Sequence, residues 1–418
     1  MSTDQCIGST CNRPAGRAGE RSSSVPHGLR RALALMLATS LAACGGSSDD
    51  EAARIEQGRE IFRLDTFGDE TFWSDTLRLH EVIETSVDPQ TALAVGLKVD
   101  VDALPDDLRD AIASGVADLA SPATTLALIG LDAVVGIRGS VEQVGGVTRL
   151  TRVGITCALC HSTVDDSFAP GIGHRLDGWP NRDLDPGAIV ALSPALDPAS
   201  RAVYGGWGKG RFDPRFNVDG LDGPVLIPPA YGLAGVRSIT YTGDGDEIRY
   251  WNHYVAVVEM GGHGRFVEPR LNLDVQNGSN DRVTDKLAAL QAYQLSLAAP
   301  APPPGSFDAA AAARGAQLFG GKAGCAGCHA GPLLTDANRR LHPAADSMAE
   351  PEMPSYASRS ATGQYRTTPL RALWQHPPYF HDGSAASLDA VVRRYDARLG
   401  LQLTDDEAGD LVAYLNSL

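Results

Sequence analysis

Apolar residues fall on helical stripes at three places in the second half of the chain. Leu287, Leu290, Tyr293 and Leu297 share one face of a helix expected over 281–299. Leu318 and Phe319 mark the apolar side of an Ala-rich helix over 309–319. Leu411, Val412, Tyr414 and Leu415 mark a last helix, which Thr404 is placed to cap. Earlier in the chain, the pattern predicts helices over 71–84, 105–119 and 250–260. The Val- and Gly-rich stretch 134–153 fits a short hairpin, and 171–249, heavy in Gly and Pro, reads as loop wrapped over something rigid. Ala298-Ala299-Pro300-Ala301-Pro302-Pro303-Pro304-Gly305 is a stiff linker and the best domain boundary.

Near the start, an apolar run from Ala32 to Ala43 follows Arg30-Arg31 and closes in Leu41-Ala42-Ala43-Cys44. That is a bacterial secretory leader ending in a lipoprotein box. The run is too short to cross a bilayer comfortably. Cleavage before Cys44 would leave its thiol to be lipidated and would discard Cys6 and Cys11. The polar stretch before Arg30 is long for a leader, so translation starting at Val25 is one expectation. Gly45-Gly46-Ser47-Ser48-Asp49-Asp50 reads as a flexible tether. The expected organisation is a signal peptide 1–43, a tether 44–53, a first domain 54–299, a linker 300–306 and a second domain 307–418. The mature protein would face the periplasm, lipid-anchored, and the absence of Asp at position 45 favours the outer membrane.

One phrase recurs. Gly315 to Phe319 and Gly58 to Phe62 both read Gly-x-x-x-Phe on an amphipathic background. Two copies of one small helical unit would explain this, the first interrupted by residues 63–156. Coincidence between two amphipathic helices is the alternative.

Each of those phrases precedes a Cys-x-x-Cys-His pattern: Cys157-Ala158-Leu159-Cys160-His161 and Cys325-Ala326-Gly327-Cys328-His329. This pattern attaches c-type haem. The thiols bond to the porphyrin edge and the His coordinates iron. Two copies imply two covalently bound haems. Four of the seven cysteines are thereby used, and with Cys44 lipidated none remains for a disulfide. The net charge of −15 argues against nucleic acid and leaves a small basic electron donor as a partner. A solubilising acidic surface explains it equally well. The 418 residues suffice for two or three domains.

What the haems do depends on the far side of each iron. Two strong ligands make a haem an electron carrier, whereas an open side binds peroxide or oxygen. Gly173-His174-Arg175-Leu176 and Asn181-Arg182 follow the first motif. After the second come Tyr365-Arg366-Thr367-Thr368-Pro369-Leu370-Arg371, Pro378-Tyr379-Phe380-His381-Asp382-Gly383, Ser387-Leu388-Asp389-Ala390-Val391-Val392 and the Leu-Thr-x-x-Glu helix start at Leu403. On these strings the chain resembles the bacterial di-haem cytochrome c peroxidases, with the related di-haem oxidases and rubber-cleaving oxygenases. The resemblance is close over 309–418, fair over 154–190 and weak over 63–153.

The resemblance implies a mainly α fold of two cytochrome c-type haem domains packed against each other, with a loop-rich insertion in the first. It implies reduction of hydrogen peroxide with electrons from a small periplasmic cytochrome c or cupredoxin, and leaves a homodimer open. His174 stands where those peroxidases have a removable distal ligand; a surface or propionate-binding histidine is the alternative. Tyr395 stands where they have a distal Met on the second haem, so either Tyr395 or His381 is expected there. Met348 and Met353 match no motif. A calcium ion is implied between the haems, held by Asn181 and the carbonyls of His376 and Pro378, against the plainer reading of Asn181 as a turn cap. Glu259, His253 and His263 flank a Gly-rich turn, where any could serve as an acid–base group for peroxide cleavage, with Glu259 as the catalytic candidate and a bland polar loop as the plainer reading of each. Trp179, Trp207, Trp251 and Trp374 are available for electron transfer, although large aromatics usually just pack. Two further readings stay open: an oxidase or oxygenase acting on an organic substrate, and a non-catalytic di-haem carrier.

Overall fold

Two helix pairs, built alike, organise the chain. In a computed structural model that describes residues 46–349 and 355–418, helix Gly46–Leu64 packs on helix Leu287–Ser296. The contact is so tight that a Cβ on Gly58 would lie 1.9 Å from the Ala289 carbonyl oxygen and 2.7 Å from Tyr293 Cβ. Helix Ala309–Gly320 meets helix Asp405–Asn416 in the same way. There a Cβ on Gly315 would lie 2.0 Å from the Asp410 carbonyl oxygen and 2.8 Å from Tyr414 Cβ. The phenylalanine of each phrase then rests on the tyrosine of its partner helix: Phe62 on Tyr293 at 5.5 Å and Phe319 on Tyr414 at 5.1 Å. The recurrent Gly-x-x-x-Phe is therefore one structural unit used twice.

Helix makes up 41% of the structure and strand 13%, so the fold is mainly α as expected. Among the described residues, every sheet is two-stranded. The expected hairpin forms as Ile137–Val144 and Val147–Ile155, turning at Gly145-Gly146. The last helix has its full capping box, Thr404 with Glu407. Residues 52–418 form a single compact unit.

Several boundaries differ from expectation. Helix Gly46–Leu64 already includes residues 46–53, expected as tether; Asp49 in its first turn complements the helix dipole. The helix expected over 71–84 is split into a π-helical turn Thr71–Thr76 and helix Leu79–Ser86, with Arg78 between them at φ 55°. The span 105–119 is helical only over Asp106–Ala113. The loop-rich span contains two short helices, Pro186–Ala191 and Pro198–Gly205, each opened by a capping Asp followed by Pro. Signal peptide, Cys44 and Met353 lie outside the described residues.

The two halves are joined by buried charge. Arg359 grips Asp213 through Nη1 at 2.9 Å and Asp219 through Nε at 2.8 Å, while Arg215 Nε donates to the Arg359 carbonyl at 2.7 Å. Buried charges need this degree of pairing.

Candidate haem sites

The first motif opens the short helix Ala158–His161, directly after the hairpin. His161 donates from Nδ1 to the Pro228 carbonyl at 3.1 Å. A carbonyl only accepts, so the proton sits on Nδ1 and the Nε2 lone pair is left for iron. Burial lowers the His161 pKa to about 4, which keeps the ring neutral as a ligand must be. Burial pushes the thiols of Cys157 and Cys160 up to about 12.

The second motif repeats the arrangement. His329 donates from Nδ1 to the Leu334 carbonyl at 3.1 Å, and burial lowers its pKa. Cys325, Cys328 and His329 open onto a cavity of about 550 Å³. Its other walls carry Tyr395, His381 and Met348. Buried in it are guanidinium atoms without hydrogen-bond partners: Nε and Nη1 of Arg182, and Nε of Arg366. Buried guanidinium N–H groups left without a partner mark the place of an anion. An apolar cavity with attachment thiols, a neutral imidazole and two guanidinium groups that each keep unpaired N–H donors fits a haem with its two carboxylates. Arg182 and Arg366 stood in the family strings, but nothing in a linear reading gave them this role.

Both expected second-site candidates face this cavity. Tyr395 lies close enough to Cys325 and Cys328 that, after burial, their charges help raise its phenol to about 12. His381 is buried and stacks on Tyr365 at 5.0 Å. Met348, which matched no motif, also lines the cavity.

At the first motif the structure separates the two catalytic candidates. Glu259 ends the π-helical turn Val255–Glu259, a distortion common at functional sites. Its Oε1 is buried without a partner. Burial raises its carboxyl pKa well above the usual range against the pull of Arg215, and its charge in turn raises the Cys160 thiol. Glu259 is thus brought to the first motif. His174 is not: its side chain is 57% exposed, with Nδ1 3.0 Å from Asp102. That carboxylate raises its pKa. His174 stands in a surface ion pair, because the short strand Arg175–Asp177 that follows pairs with Ser162–Val164 and His174 is left facing solvent. His263 meets Thr71 at the surface and His253 packs edge-on against Phe266.

The calcium expectation also changes. Asn181 Oδ1 accepts from the Leu184 N–H at 3.2 Å, and its Nδ2 donates to the Gly96 carbonyl at 2.9 Å. The His376 carbonyl accepts from Arg182. The expected set offers three neutral oxygens, two already engaged, and a guanidinium instead of a carboxylate. That donor set does not fit calcium; Asn181 caps a turn.

The two sites share a wall, since Pro228, which orients His161, also lines the second cavity. Beside it, Trp179 and Trp374 meet edge-to-face at 5.8 Å across the two halves. Trp207 and Trp251 are buried in the first half.

These features are those of c-type haem attachment. Residues 312–418 match the family model Cytochrome c, a similarity that supports covalent attachment of haem at the second motif. The chain is 31% identical over 195 residues to Cytochrome-c peroxidase IdrP1 of Denitromonas iodatirespirans, covering 33% of this chain and 50% of that protein. It is 33% identical over 122 residues to Methylamine utilization protein MauG of Methylorubrum extorquens, covering 26% of this chain and 34% of that protein. The resemblance to the di-haem cytochrome c peroxidases and their oxidase relatives therefore stands. The matches span half or less of these relatives' own length. Among solved structures, a MauG-like protein associated with microbial copper homeostasis aligns with a TM-score of 0.32 at 19% identity, over 48% of this chain and 75% of that one.

Proposed function

We propose that this chain is a di-haem oxidoreductase that reduces hydrogen peroxide to water, taking two electrons and two protons per peroxide. The electrons would come from a small basic periplasmic protein, to which a chain of net charge −15 is complementary. Anchoring through a lipid on Cys44 belongs to the same reading. A bound haem at each motif would supply the redox chemistry.

The observation that carries the reading is Glu259. Burial raises its carboxyl pKa well above the usual range, and its Oε1 lies enclosed beside the first motif without a hydrogen-bond partner. A carboxyl so placed can deliver a proton to a departing oxygen and take one from an arriving peroxide. His161 and His329, with Nδ1 already hydrogen-bonded, would hold iron through Nε2, and Arg182 and Arg366 would neutralise haem carboxylates. Trp179 and Trp374 stand between the halves, where an electron would pass.

Tyr395 favours a second reading. Beside the second motif's thiols it occupies the position where a peroxidase would carry Met, and a Tyr ligand lowers a haem's potential relative to Met. A low-potential second haem suits an oxidase acting on an organic or protein substrate. One experiment separates the readings. Half-reduced holoprotein is mixed with stoichiometric peroxide, with and without a reduced small c-type cytochrome. Turnover of the donor supports the peroxidase; a long-lived oxidised state without donor turnover supports the oxidase; two haems that ignore peroxide refute both.

A further inference from the structure

The cavity at Cys325 and Cys328 contains one more polar group, which neither haem attachment nor the peroxide reaction uses. His376 follows the short helical turn Leu373–Gln375 and lines that cavity. The residue is 8% exposed, and its Nδ1 is buried without a hydrogen-bond partner. The turn before it is pinned twice. Tyr231 Oη donates to Gln375 Oε1 at 2.8 Å, and Tyr379 Oη donates to the Leu373 carbonyl at 2.8 Å. The Tyr379 ring lies 5.9 Å from the imidazole. Burial, and then the charge of Arg182, lower the His376 pKa to about 4, so the ring is neutral and carries one N–H.

Arg182 reaches the same place from the first half. The preceding Asn181 donates its backbone N–H to the Cys160 carbonyl at 2.9 Å, and Arg182 Nη2 donates to the His376 carbonyl at 3.4 Å. Nε and Nη1 of Arg182 are left without partners in the cavity that His376 also lines. A guanidinium with spare donors and an adjacent imidazole with an unpaired nitrogen are complementary to one carboxylate. An anion at Nδ1 selects the tautomer whose proton is there.

We propose that His376 donates from Nδ1 to the same haem carboxylate that Arg182 meets, so that one carboxylate of the haem at the second motif is held from both halves of the chain. The inference rests on haem attachment at that motif and is independent of the peroxide reading. A hydrogen bond that offsets the carboxylate's charge makes the iron easier to reduce, so losing it lowers the potential of that haem.

The test uses holoprotein, with haem content read by alkaline pyridine spectra and potentials by spectroelectrochemistry. His376→Asn puts an amide N–H where Nδ1 stands, His376→Gln puts it where Nε2 stands, and His376→Leu removes both. Leu and Gln should each shift the second haem's reduction equilibrium about tenfold toward the oxidised form, or about 59 mV for one electron, and Asn by less than about twofold. Leu and Gln should also move the propionate bending band in its resonance Raman spectrum. If His376→Leu fails to fold, Asn against Gln decides. A packing role would leave Leu nearest to native and overturns the inference, as do equal potentials in all variants. A changed spin state of the second haem would make His376 an iron ligand and overturns it too. A native protein with a single haem would refute the attachment reading itself, and the inference with it.

Discussion

The two halves of this protein share a chassis and differ in what lies between its helices. Gly58 and Gly315 admit their partner helices at almost the same distance, and Phe62 and Phe319 rest on Tyr293 and Tyr414 with similar geometry. In the second half, the chain from Cys325 to the last helix encloses one large cavity ringed by Arg366, His381 and Tyr395. In the first, residues 63–156 are interposed with their own apolar core, and the turn ending at Glu259 closes over the motif. The lesson is a division of labour. A repeated helix pair accompanies each attachment motif, while unrepeated segments decide what stands near it: a buried carboxyl with a raised pKa at the first motif, a tyrosine and a histidine at the second.

That asymmetry can be broken most severely at attachment. Replacing Cys157 and Cys160 by Ala, or Cys325 and Cys328 by Ala, should each halve the haem content measured by alkaline pyridine spectra. Equal loss of both haems from either variant would deny that the sites are separate. Glu259→Gln should slow peroxide reduction by about 10²–10⁴-fold and leave the second haem's spectrum unchanged. An unaltered rate would remove Glu259 from the chemistry.

The shared chassis makes a symmetrical prediction. Gly58→Val and Gly315→Val should each cost about 2–4 kcal/mol of unfolding free energy, since the added carbons meet backbone oxygen in both. A large effect at one and none at the other, in denaturant titration, would separate the two copies. At the second site, Tyr395→Phe and His381→Phe should be compared by low-temperature spin-state spectra. The ligand's variant alone should alter the second haem; no change in either means that neither binds.

The smallest expected effect is in pH. The Glu259 carboxyl binds its proton more tightly folded than unfolded, because burial raises its pKa above the ordinary 4.5. Its contribution is complete below that value and is lost as pH rises through the folded pKa. Glu259→Gln should therefore flatten the fall in stability above pH 4.5. An unchanged slope would mean that the carboxyl is not held protonated.

Both attachment motifs, the last helix with its Thr404 cap, the hairpin and the interrupted repeat were legible in the chain, because each depends on residues close in sequence. Glu259 was legible only as one of three candidates beside a Gly-rich turn. The position of His174 after the first motif suggested iron; its exposed place beside Asp102 comes from short-strand pairing that no local pattern announces. Arg182 and Arg366 had no visible role until a cavity surrounded them.

The sequence by itself determined where the two haem-attachment motifs lie and that a similar helical unit accompanies each, since thiol spacing and helical period are local. Only the tertiary structure decided that Glu259 is buried near the first motif while His174 stands at the surface beside Asp102, and that Asn181 caps a turn. It alone brought Tyr395 to thiols some seventy residues away in the chain. The reason is physical. Burial, charge coupling and unsatisfied hydrogen bonds arise between segments distant in sequence, and no local pattern encodes which of them will meet.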